Sequence, residues 1–133
     1  IDQPIGRSNF NRKKMAINLN GKRAVTHWKL LQVFSNLVSL ISCKLETGRT
    51  HQIRVHMSSI GHSLVGDKIY GSVPKLNKKY NIFERDIIYK CKNFSRQALH
   101  SKTLSFQHPI LKEKMHFEID LPDDIKNLIN SIK

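Results

Sequence analysis

The 133-residue sequence predicts an α+β domain, a largely antiparallel mixed sheet with a few flanking helices. Three observations predict it. Apolar and polar residues alternate in four segments, which fall into two pairs separated by turn signals. Two other segments carry apolar residues at helical spacing with plausible start and stop residues. The element order read from these segments, β-β-β-α-β-β-α, leaves neighbouring strands antiparallel.

The elements follow in chain order. Ile1 to Asn20 mixes Pro4, Gly6 and a basic run, and reads as a loop feeding a short strand at Met15-Ala16-Ile17. Asn20-Gly21 then signals a turn. "AVTHWKLLQVF", Ala24 to Phe34, is rich in β-branched and aromatic residues; Ser35-Asn36 breaks it and "LVSLISCKLE" follows. In that second segment Leu37, Ile41, Cys43 and Leu45 share one face, so the two form a predicted hairpin. Thr50 is placed as the cap of a helix from about His51 to Ile60, with Ile53, Met57 and Ile60 as its apolar stripe and Gly61 as a left-handed stop. Ser72 to Phe94, with Lys75, Lys78, Lys79, Lys90 and Lys92 among Tyr80, Ile82, Phe83 and Tyr89, reads as a long basic loop. "TLSFQHPI" and "MHFEIDL" form a second hairpin with one apolar face, Leu104 and Phe106 against Met115, Phe117, Ile119 and Leu121. Pro122-Asp123-Asp124 opens a last helix with Ile125, Leu128, Ile129 and Ile132 on one side.

Charge is the strongest bulk signal. Lys and Arg number 23 against 10 Asp and Glu, a formal net charge of +13. A domain this basic favours a polyanionic partner, nucleic acid first, although surface lysines also serve solubility alone. The basic residues are spread along the chain rather than gathered on one amphipathic helix, which argues against a membrane surface. No apolar run is long enough to span a bilayer. Cys43 and Cys91 form no C-x-x-C pair, so no disulfide framework is implied and a cytoplasmic location is expected. The start at Ile1, without Met, reads as part of something longer.

The chemistry concentrates in "LETGRTHQIRVHMSSIGHSLVGDKIYG", Leu45 to Gly71. His51 and His56 diverge by roughly 140° on a helix, no H-E-x-x-H is present and no cysteine pair stands nearby, so a metal site is not expected. No nucleophile elbow, Walker loop or dinucleotide fingerprint occurs. What remains is cationic. Arg49, Thr50 and His51 stand at a helix N-terminus, where the macrodipole favours anions. Arg54 lies beside a core-facing position, and a buried guanidinium without a carboxylate or phosphate partner would cost about 3–5 kcal/mol. Asp67, in the Gly-Asp turn, is the nearest candidate partner; a turn staple is its commoner role.

"GRTHQIRVH" at Gly48 to His56, then "LVGDKIYG" at Leu64 to Gly71, closely resembles the RluA/RluD family of RNA pseudouridine synthases. "RQALHSKTLSFQHPI", "LPDDIKNLI" and the approach from Asp2 to Leu31 match the same family in the same order. The resemblance implies that residues 1–133 are the C-terminal part of a catalytic domain. The family's catalytic aspartate lies in a motif like H-R-L-D-x-x-T-S-G, and none of Asp2, Asp67, Asp86, Asp120, Asp123 and Asp124 has that context. Arg54 matches the family arginine that pairs with that aspartate. Arg49, Thr50 and His51 are implied to meet the RNA, and Leu64 or Val65 to lie beneath the uracil. One departure is His62-Ser63-Leu64, where relatives carry His-Pro-Leu. The implied activity is isomerisation of uridine in structured RNA, ribosomal before transfer RNA, without cofactor. The chain alone is expected to be inactive and prone to self-association. The competing readings are an RNA-binding module that never catalyses and a basic protein-interaction domain.

Overall fold

The computed structural model describes residues 1–72 and 79–133. Lys75 and Lys78 of the basic segment lie outside the described residues. In chain order the elements are β1 (Ile5–Arg7), β2 (Met15–Ile17), β3 (Thr26–Phe34), β4 (Val38–Leu45), α1 (Gln52–Ser59), α2 (Ile82–Asn93), β5 (Thr103–Gln107), β6 (Lys114–Glu118) and α3 (Asp123–Ser131). The α+β class holds. The single sheet does not: among the described residues the strands form three separate two-stranded antiparallel ribbons, β1-β2, β3-β4 and β5-β6. Each strand pairs with its nearest sequence neighbour, which local turns suffice to direct.

Both predicted hairpins are present. β3 and β4 pair from Thr26 with Leu45 to Phe34 with Val38, with a register shift between Leu30 and Gln32. Ser35 and Asn36 both take positive φ, 47° and 54°, which supplies the reversal. Near that turn Val38 and Leu40, together with Leu37, pack on the core, while Leu45 is exposed. The predicted face is therefore only partly the buried one. β5 and β6 pair from Thr103 with Glu118 to Gln107 with Lys114, and Phe106 stacks on Phe117 at 6.0 Å. Their apolar face is uncovered: Leu104, Phe106, Phe117 and Ile119 are all exposed.

The reading of Ser72 to Phe94 as a loop is corrected by α2. Asn81 and Glu84 form a reciprocal capping box, the Asn81 side chain accepting from Glu84 N and the Glu84 carboxylate from Asn81 N. Ile87, Ile88 and Cys91 then turn inward at helical spacing. The many lysines masked this short stripe. α3 begins after Pro122 as expected and buries Ile125, with Leu128 and Ile129 half-covered and Ile132 buried just past its end.

Among the described residues the core is in two pieces. One gathers Phe34, Ile87, Cys91 and Ile132, with Val65 and Leu128 packed on them. The other gathers Ile5, Ala24 and Val55, with Met15, Ile17 and Tyr70 against them. The loop from Leu64 to Tyr70 touches both, Val65 in one and Tyr70 in the other.

Candidate active site

The T-H-Q-I-R-V-H segment is held in place by its polar residues. Gln52, buried, makes four hydrogen bonds. Its Oε1 accepts from the Thr47 hydroxyl (2.8 Å) and Arg49 N (3.0 Å). Its Nε2 donates to Val25 O (2.9 Å) and Thr26 Oγ1 (3.0 Å). His56 is fully buried, with Nε2 at 2.9 Å from Gln3 O and Nδ1 at 2.9 Å from Thr26 Oγ1. A carbonyl only accepts, so Nε2 carries the hydrogen and Thr26 donates to Nδ1. All four polar atoms of Gln52 and His56 are satisfied, so their burial carries little penalty.

These bonds explain why the expected helix stripe holds only at Met57. α1 buries Gln52, Arg54, Val55, His56 and Met57, whereas Ile53 is half-buried and Ile60 exposed. Nor does Thr50 cap the helix. It is exposed, and His51 holds the cap position in the left-handed conformation (φ 57°, ψ 23°) with no side-chain cap bond. Gly61 does take the predicted positive φ, 83°.

Arg54 is 8% exposed and Asp67 5%. Arg54 Nε donates to Asp67 Oδ2 at 2.7 Å and Nη2 to Oδ1 at 2.9 Å, a two-point fork. Asp67 Oδ1 also accepts from Ile69 N (2.9 Å) and Tyr70 N (3.0 Å). The two roles left open for Asp67, ion-pair partner and turn staple, are thus filled together. Burial opposes ionisation of Asp67, but the Arg54 bonds, the two backbone N–H groups and the guanidinium charge outweigh it and hold the carboxyl at about 2. The Asp67 hydrogen bond raises the Arg54 pKa in turn.

Gly66 makes this turn possible. Its φ is 71°, and a Cβ there would lie 2.0 Å from Arg96 O. Val65 O accepts from Ala98 N (2.8 Å), and Arg96 is itself forked onto Asp124 (2.7 and 2.9 Å), tying the loop to α3. Ser63, at the departure from the proline pattern, hydrogen-bonds Ser72 N through its hydroxyl at 3.0 Å and closes the loop's outer edge.

Tyr70 was not singled out by its residue type, yet it joins the cluster. Its ring lies under the Arg54 guanidinium, 5.0 Å from Cζ to centroid, within cation–π range. Its hydroxyl accepts from Met15 N at 3.0 Å and lies 2.9 Å from His51 Nδ1. The signal was available, because a Tyr three residues after a turn Asp follows the carboxylate that its own N–H stabilises.

His51 and Arg54 therefore meet around Tyr70 and Asp67. Arg49 is half-buried, its Nε donating to Arg23 O (3.0 Å), and Thr50 is exposed beside it. Leu64 and Val65 are half-buried, with Val65 packed into the α2–α3 core. Asp67 occupies the Nε side of the Arg54 fork. The Nη1 nitrogen has no hydrogen-bond partner among the described residues, so the guanidinium retains donors for a second anion.

The sequence profile of a family described as RNA pseudouridylate synthase matches residues 1–59. A ribosomal large subunit pseudouridine synthase D of Zymomonas mobilis is 46% identical over 99% of the chain and 39% of its own length. The protein of that name from Haemophilus influenzae is 44% identical over the whole chain and 40% of its length. An uncharacterised RNA pseudouridine synthase of Bacillus subtilis is 43% identical, again over the whole chain and 38% of its length. The chain thus spans about two-fifths of the curated relatives it matches.

Proposed function

We propose, from the chain's similarity to RluA/RluD-type RNA pseudouridine synthases, that it supplies the arginine side of an active site that isomerises uridine to pseudouridine in structured RNA. Large-subunit ribosomal RNA is the first candidate substrate, on the names of the relatives, and transfer RNA the second. The observation that carries the reading is Arg54, buried, aimed by Asp67 and Tyr70, and still offering Nη1.

In the reaction the bond from uracil N1 to ribose C1′ breaks, the base turns, and C5 bonds to C1′. C5 loses its proton and N1 ends protonated, so no atom is gained or lost. The uridine must first leave its stack, at a cost of a few kcal/mol. A catalytic aspartate from a segment of the H-R-L-D type would sit against the open edge of Arg54. The arginine holds that carboxylate ionised and oriented. Asp67 tempers this effect: the Arg54–Asp67 pair is close to neutral, so Arg54 acts mainly through hydrogen-bond direction. His51, Arg49 and Thr50, just before α1, face the RNA, and Leu64 or Val65, in the loop after α1, lies beneath the uracil.

Residues 1–133 are, on this reading, the C-terminal part of the catalytic domain, acting in the cytoplasm, and require no cofactor. Alone they bind RNA without turnover. The test is incubation of the chain, with and without an H-R-L-D-bearing segment joined to it, on in vitro transcribed large-subunit RNA, followed by mass spectrometry for pseudouridine. Product only from the joined protein is expected. Product from neither points to a binding module that never catalyses.

A further inference from the structure

We propose that Tyr70 is a positioning residue for RNA recognition: its hydroxyl fixes His51 as the tautomer that presents Nε2–H outward to an oxygen of the RNA backbone. This rests on the reading of His51 given above and extends it to a residue that touches no substrate.

Hydrogen-bond accounting carries the assignment. Tyr70 Oη accepts from Met15 N at 3.0 Å, which fixes the side of the hydroxyl facing β2. The hydroxyl has one hydrogen, and among the described residues His51 Nδ1, at 2.9 Å, is the acceptor in reach. A neutral imidazole that accepts at Nδ1 bears its hydrogen on Nε2. The ring of Tyr70 is itself fixed, meeting the His51 ring edge to face at 5.6 Å while lying under Arg54.

A second observation is independent of that bond. His51 is not glycine, yet it adopts φ 57° at the start of α1. The left-handed region costs an ordinary residue on the order of 1 kcal/mol and persists where surroundings enforce it. Neither a capping bond nor deep burial of His51 accounts for it; the ring is half-exposed and its described side-chain hydrogen bond goes to Tyr70. The strained backbone delivers the imidazole to that hydroxyl, on the same side of α1 as Arg54.

The test uses the 133-residue chain with Tyr70→Phe, His51→Ala and the double variant. Affinity for in vitro transcribed large-subunit RNA is read by filter binding at fixed salt. Each single variant should bind roughly three- to tenfold more weakly, the worth of one hydrogen bond, and the double variant no more weakly than His51→Ala. Multiplying effects, or a Tyr70→Phe chain that binds like wild type, overturn the proposal. Nitrogen NMR of the His51 ring above neutral pH reads the tautomer without RNA, and wild-type protein protonated on Nδ1 overturns the proposal directly. Wild-type protein with no RNA affinity but the Nε2–H tautomer sinks the functional reading while leaving the Tyr70–His51 bond intact.

Discussion

At the scale of single residues, the site is a carboxylate and a guanidinium taken out of water together. Such a pair adds little net stability, but breaking it leaves an uncompensated buried charge. Asp67→Asn should therefore lower stability by about 3 kcal/mol, read as a fall in urea midpoint at unchanged slope. Acid should act through the same group. The folded Asp67 carboxyl titrates at about 2 against an ordinary 3.8, so its contribution is fully present above pH 4 and is lost as pH falls towards 2. An acid titration of the Asn variant should lack that loss, and a parallel titration curve would refute the assignment. Arg54's need for an acid was legible in the sequence, because a guanidinium beside a core position demands one. Its choice of Asp67 was not, since a Gly-Asp turn staples itself equally well and only the fold brings residues 54 and 67 within 2.7 Å.

At the scale of elements, hairpins were readable and helices less so. β3-β4, β5-β6 and α3 follow from alternation, turn residues and a Pro-Asp start, all of which act locally. The existence of α1 is legible but its inward face only at Met57, because the rest of that face is chosen by Gln52 and His56 bonding to Thr26 and Val25, partners about 26 to 30 residues away. α2 was missed although its capping box was in plain view at Asn81 and Glu84. The box gives a prediction: Asn81→Ala removes the acceptor for Glu84 N and should cost about 1 kcal/mol. Hydrogen exchange at the first turn of α2 should rise in that variant, and unchanged protection there would mean that packing of Ile87 and Ile88 alone holds the helix.

At the scale of the molecule, three ribbons and two small cores among the described residues stand in place of one sheet. β3-β4 and β5-β6 leave large apolar side chains in water, with Trp28 and Phe117 about half exposed, and contiguous exposed apolar surface favours association. The chain should therefore self-associate, and Phe117→Lys should reduce its mean mass in sedimentation; a concentration-independent monomer in both would refute this. Between the two cores runs the strip from Val65 to Tyr70, gripped at either end by a different cluster, with Asp67 in the middle. It works as a taut string between two posts. Slacken either post, even at Ile132 near the far terminus, and the guanidinium drifts off aim while every helix and ribbon is still in place.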